Sequence, residues 1–157
     1  MADEISARLQ GAKPIIETML GLAPKLRRKG LRKAARQAMN VVRDDARARA
    51  KAIDDPETAE KIWKNIVTQE SGRQGRSEGG VVMKVGIRGG AGSNQHSKDA
   101  GGNPGGDTRH WRYLEFGTQH TPPAPFMRPA FSSNVTAVTD RFIQVLGQEV
   151  DAALRGS

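Results

Sequence analysis

The chain has 157 residues, enough for one domain and too few for a large two-domain enzyme. Only 36% of them are apolar, so the core must be small, and the absence of cysteine excludes disulfides, thiolate metal sites and cysteine nucleophiles. The net charge of +8 is concentrated, because residues 25–51 hold eleven Lys and Arg against Asp44 and Asp45 while the remainder is close to neutral. The first ten residues carry acids and no apolar h-region, and no apolar run reaches the roughly 18 residues of a membrane span. A soluble chain without a secretory leader and without membrane contact is therefore expected.

In chain order, Ile5, Leu9, Ile15, Ile16, Met19 and Leu20 predict a short helical lead-in over residues 1–22, with Pro14 starting a second helix or bending the first. Residues 23–52 lack an interior proline, and Leu31, Ala34, Ala35, Ala38, Val41 and Val42 recur at helical spacing. The result is a long amphipathic helix with an alanine-rich stripe, which lets another backbone approach closely. Its basic face comprises Arg28, Lys29, Arg32, Lys33, Arg36, Arg43 and Arg47. That face could meet an acidic protein, DNA phosphates or only solvent. Asp55 and Pro56 then read as N-cap and first residue of a short helix with Ile62, Trp63 and Ile66 inward.

The rhythm changes to two residues at Val81, Met83, Val85 and Ile87, the mark of a strand, and residues 65–70 are its candidate partner. Residues 89–107 contain no apolar side chain larger than alanine and read as a flexible glycine-rich loop. Val135, Val138, Phe142, Val145, Leu146, Val150 and Ala153 form one face of a closing helix that begins near Ser133 or Asn134. The fold class is α+β. A small antiparallel sheet packs against the long basic helix and the C-terminal helix, with a glycine-rich loop and a proline-rich arm, in one domain over residues 1–157.

Catalytic patterns are missing. Gly86, Gly89, Gly90 and Gly92 follow a strand, but Gln95 stands where GxGxxG needs its third glycine, and no helix follows. His96, Asp99, Asp107, His110 and His120 lack metal-ligand spacing. Glu115 has no second carboxylate or nucleophile beside it, and Ser132 and Ser133 suit a helix start better than nucleophilic work. No enzyme activity and no cofactor are expected.

Five of the aromatic residues, Trp111, Tyr113, Phe116, Phe126 and Phe131, fall within HWRYLEFGTQHTPPAPFMRPAF. Gly117 allows a turn, and Pro122, Pro123, Pro125 and Pro129 stiffen residues 117–130 into an arm whose aromatic residues can anchor on the sheet or on another subunit. Glu115, if buried, needs a partner, for which Arg128 and Arg112 are the candidates; otherwise it points to solvent.

This stretch resembles the tail-completion or neck proteins of long-tailed bacteriophages, which join head to tail. The resemblance rests on Tyr113, Leu114, Glu115, Phe116, Gly117 and Thr118, followed by Pro125, Phe126, Met127, Arg128, Pro129 and Ala130. The order of elements extends it over residues 22–154. AIDDPETAEKIWKNI stands where family members commonly carry a Thr-Gly turn. The resemblance implies a structural virion protein, assembled in the host cytoplasm, that forms a ring of hexameric symmetry at the head-tail junction. It implies contacts with a connector ring above and a tail-terminator or tail-tube ring below. The residues expected at these interfaces are Tyr113, Glu115, Phe116, Gly117, Thr118, Pro125, Phe126, Arg128 and Pro129. The alternative is a basic nucleic-acid-binding accessory protein, with weak contact to genomic DNA as a secondary reading of the same helix.

Overall fold

A computed structural model describes residues 2–88 and 102–156. Its architecture is α+β. The elements run α1 (Ala2–Gly11), α2 (Lys13–Gly21), α3 (Pro24–Ala52), α4 (Ile62–Asn65), β1 (Ile66–Glu70), α5 (Gly72–Ser77), β2 (Met83–Ile87), α6 (Trp111–Phe116), α7 (Met127–Ser133) and α8 (Val135–Arg155). β1 and β2 form a two-stranded sheet. The Ser71 amide donates to the Val82 carbonyl at 2.8 Å and the Arg88 amide to the Asn65 carbonyl at 2.9 Å, which fixes the pair as antiparallel.

The long helix has the predicted bounds to within a residue, and its buried positions follow a strict four-residue step: Gly30, Ala34, Ala38, Val42, Ala46 and Ala50. Each step advances about 40° beyond a full turn, so the buried line winds around the helix instead of keeping to one face. Small side chains all along it allow close approach over the whole length.

The chain divides into two compact units, and the division falls inside α3 and inside both strands. The first unit comprises residues 1–41, 69–84 and 134–157. Its core gathers Met19, Ala34, Val145, Leu146 and Val150, with Ile15, Ile16, Leu22, Leu31 and Phe142 packed around them. Pro14 lies in the first turn of α2, where its missing N–H costs nothing. Arg8 of α1 bonds to Asp140 of α8, and Lys33 of α3 to Glu149.

The second unit comprises residues 42–68 and 85–133. Its buried residues are Val42, Ala46, Ala50, Ile62, Ile66, Phe126 and Ala130, with the polar Asn65, Thr108 and Glu115 among them. The helix expected from Asp55 does not form there. The Asp55 carboxylate instead accepts the Glu57 amide at 2.9 Å, its carbonyl accepts the Lys61 ammonium at 2.8 Å, and Lys61 pairs with Asp54 at 3.0 Å. These bonds close residues 54–61 into a turn, and helix appears only at α4. Ile66 is buried as expected, but from β1.

Of the glycine-rich stretch, residues 89–101, with His96 and Asp99, lie outside the described residues. Its last residues are held by a buried amide. Asn65 Nδ2 donates to the Gly106 carbonyl at 3.0 Å and to Thr108 Oγ1 at 2.7 Å, and Asn65 Oδ1 accepts the Gly105 amide at 2.8 Å. The Gly105 carbonyl in turn accepts the Lys61 amide at 2.7 Å. A Cβ on Gly105 would lie 2.0 Å from the Lys61 carbonyl oxygen, so only glycine fits.

Candidate functional site

The segment from α6 to α7 is built around one carboxylate. Glu115 lies in the last turn of α6 and is only 1% exposed. Its Oε2 accepts the amides of Phe126 at 2.8 Å and Met127 at 2.9 Å, and its Oε1 accepts the amide of Arg128 at 2.9 Å. These are the donors that the start of α7 leaves without intrahelical partners. Glu115 therefore caps a helix other than its own, where a negative charge meets the positive end of the dipole. The next residue, Pro129, has no N–H to satisfy, and the Ala130 amide bonds back to the Phe126 carbonyl. The Pro-Phe-Met-Arg-Pro-Ala stretch thus supplies what its receptor requires: Phe126 and Ala130 fully buried, two further donors, and a proline where a donor would have been orphaned.

Of the two candidate partners of Glu115, Arg128 is bonded to it, within the same chain. Its Nε donates to Glu115 Oε1 at 3.1 Å and its second guanidinium nitrogen to the Glu115 carbonyl at 2.6 Å. Its guanidinium carbon stands 5.0 Å from the centre of the Phe116 ring. The alternative of a solvent-facing Glu115 is thereby overturned. Burial pushes the Glu115 carboxyl up, but the amides of Met127, Arg128 and Phe126 and the guanidinium together outweigh it, and the carboxyl is held below its ordinary value.

Gly117 ends α6 at φ 76° and ψ 176°, a region open essentially to glycine alone. A Cβ there would lie 3.0 Å from Pro123 and from the Thr121 carbonyl. Thr118 then folds the chain back: its Oγ1 accepts the amides of His120 and Thr121, and its own amide donates to the Thr121 carbonyl. The Ala124 amide donates to the Leu114 carbonyl at 2.7 Å, fastening the arm to α6. The extended path ends where α7 begins, and Pro129 falls inside that helix.

The sequence-predicted interface residues thus separate into two groups. Glu115 and Phe126 are buried, with Gly117 and Pro129 half-buried beside them. Tyr113, Phe116, Thr118, Pro125 and Arg128 are exposed, Tyr113 at 63% and Phe116 at 60%. Phe131 is a further exposed aromatic residue. Large apolar side chains left in water on a hydrogen-bonded frame are a candidate contact surface.

The basic face is also divided. Arg32 pairs with Glu70, Lys33 with Glu149 and Arg43 with Asp44. Arg47 donates from Nε to the Ile66 carbonyl at 2.9 Å. Burial, with Arg43 and Arg88 nearby, lowers the proton affinity of Arg47. Glu70 and Glu149 lie far along the chain, so their pairing with the helix could not be read from local charge. Arg28, Lys29 and Arg36 are exposed and form no ion pair among the described residues. There is also no group of three or more His, Cys, Asp or Glu placed to hold a metal, and no helix long and apolar enough to cross a membrane, among the described residues.

No curated protein and no solved structure matches the chain. One family model does, over residues 15–117; its description reads "Bacteriophage HK97-gp10, putative tail-component". The match runs from α2 through the long helix and the sheet and ends at Gly117, the turn of the Glu-Phe-Gly-Thr motif. Covering well over half of the residues, it establishes that the chain belongs to the HK97-gp10-like family of bacteriophage tail components.

Proposed function

We propose that the chain is a structural, non-catalytic protein of the head-tail junction, which assembles as a ring, hexameric in symmetry, that completes the tail and joins it to the head connector. The observation that carries this reading is the pairing of a rigid frame with exposed aromatic side chains. Glu115 and Gly117 fasten the arm, and Tyr113, Phe116 and Phe131 stand in water beside it. An isolated tail subunit has no use for such side chains, whereas a subunit seated against neighbouring rings does. Domain unity follows from the same role: residues 1–157 act as one tail-completion module. Gold-labelled antibody against the chain should decorate virions at the head-tail joint; label confined to the distal tail tip would contradict the assignment.

Genomic DNA is a secondary contact. Arg32, Lys33, Arg43 and Arg47 are already engaged within the protein, which leaves Arg28, Lys29 and Arg36 of that face for phosphates. As an incidental contact, made by one cation at a time, binding to duplex DNA should weaken with salt at a log–log slope of about one or less, whereas Arg28, Lys29 and Arg36 all on phosphates would give about three. A slope steep enough to require most of the basic face would favour the nucleic-acid-binding alternative.

A further inference from the structure

A groove of about 580 Å³ lies in the first unit, between the start of α3, α5 and the glycine turn before β2. Pro24, Leu31 and Val81 line it with apolar surface, while Arg27, Arg28 and Arg76 supply three guanidinium groups and no acidic residue lines it. Arg27 is partly committed, because it donates to the Leu20 carbonyl at 3.1 Å. Arg28 and Arg76 are exposed and form no ion pair among the described residues. Glu70 of β1 is already held by Arg32, and Glu78, in the turn between Arg76 and Gly79, is exposed and does not line the groove.

The second unit presents the complementary surface. In the turn 54–61, Asp54 is neutralised by Lys61, but Asp55, Glu57 and Glu60 form no ion pair among the described residues. The turn is braced from within by Asp55, Thr58 and Lys61, and it holds the exposed Pro56 and Glu57 outward. A preorganised turn of this kind costs little conformational entropy on docking. We propose that the arginine groove of one copy receives the acidic turn 55–60 of a second copy, so that copies associate head to tail. The two surfaces differ, so the contact is heterologous, and repetition with the right rotation closes a ring. This inference rests on the ring reading above and names its subunit contact.

Charge reversal tests it in the full-length chain. Arg28→Glu with Arg76→Glu makes one variant, Glu57→Lys with Glu60→Lys the other, and Arg27 is left in place for its backbone bond. Sedimentation velocity at low salt should find each variant's self-association weaker by on the order of 100-fold, because like charges then face each other. An equimolar mixture of the two should regain the wild-type assembly, since each groove again meets a turn of opposite sign. That recovery also excludes misfolding as the cause of the loss. If each variant assembles as the wild type does, the pairing is overturned while the ring reading stands. Assembly unchanged together with lost binding of the groove variant to duplex DNA would reassign the groove to DNA. A wild-type chain that remains a monomer at every concentration would overturn the ring reading, and this contact with it.

Discussion

Removing Glu115 and removing Arg128 should have unequal effects, because the two residues sit in different surroundings. Glu115→Ala leaves three amides at the start of α7 without their acceptor in a buried place, at a cost of about 3 kcal/mol. Arg128→Ala removes a side chain that is 59% exposed and leaves the carboxylate its three amides, at a cost of about 1 kcal/mol or less. Thermal melts of the two variants check the order. The same carboxylate sets a pH dependence. Its proton affinity is lower in the folded chain than the ordinary value of 4.5, so its stabilisation is fully present above about that pH and is lost as pH falls through the folded value. The gap in melting temperature between the wild type and Glu115→Gln should narrow on acidification; a gap that widens would contradict the sign. The sequence narrows the partner of a buried Glu115 to Arg128 or Arg112, because a carboxylate between Leu114 and Phe116 needs one if buried, but it decides neither the burial nor the choice. The three amide donors were not legible in it, since they depend on where α7 begins, and the one local sign of that start is a proline at its third residue.

Elements with strong periodicity were legible almost to the residue: α3, α8 and the pairing of β1 with β2 follow from spacing alone. Short elements were not. α5 contains Gly72 and Gly75, poor helix formers, and the helical turn α6 is hidden in an aromatic run whose composition carries no period. The turn at 54–61 went against a good capping signal because side-chain bonds from Asp55 and Lys61 offered the backbone another closure. Asn65 was likewise invisible from sequence, as its partners lie some forty residues away. It joins α4 to the chain at Gly105, Gly106 and Thr108 using both its donor and its acceptor. Asn65→Ala should cost about 2–3 kcal/mol, the desolvation of groups left unpaired in a buried place. Hydrogen exchange should show the protection of the Gly105 amide falling more than that of amides in α8, whereas uniform loss would mean that Asn65 does not act locally.

For the whole molecule, the concentration of positive charge in α3 is less than the sequence implies. Glu70 and Glu149 close on α3 from distant parts of the chain, and with Asp44 and the Ile66 carbonyl they engage four of the seven cations of the face that reads as a binding stripe. What remains outward is a set of cations, an acidic turn and the aromatic side chains of α6 and α7 that flank the hydrogen-bonded arm, surfaces suited to several protein neighbours. Membership in a family of phage tail components gives those neighbours a setting in the virion. The proposed joining role is tested most directly by disrupting the gene in its parent phage and imaging the particles by electron microscopy beside a complemented control. Filled heads accumulating apart from tails, or tails with an unfinished joining end, are the expected result; normal infectious virions would contradict the role.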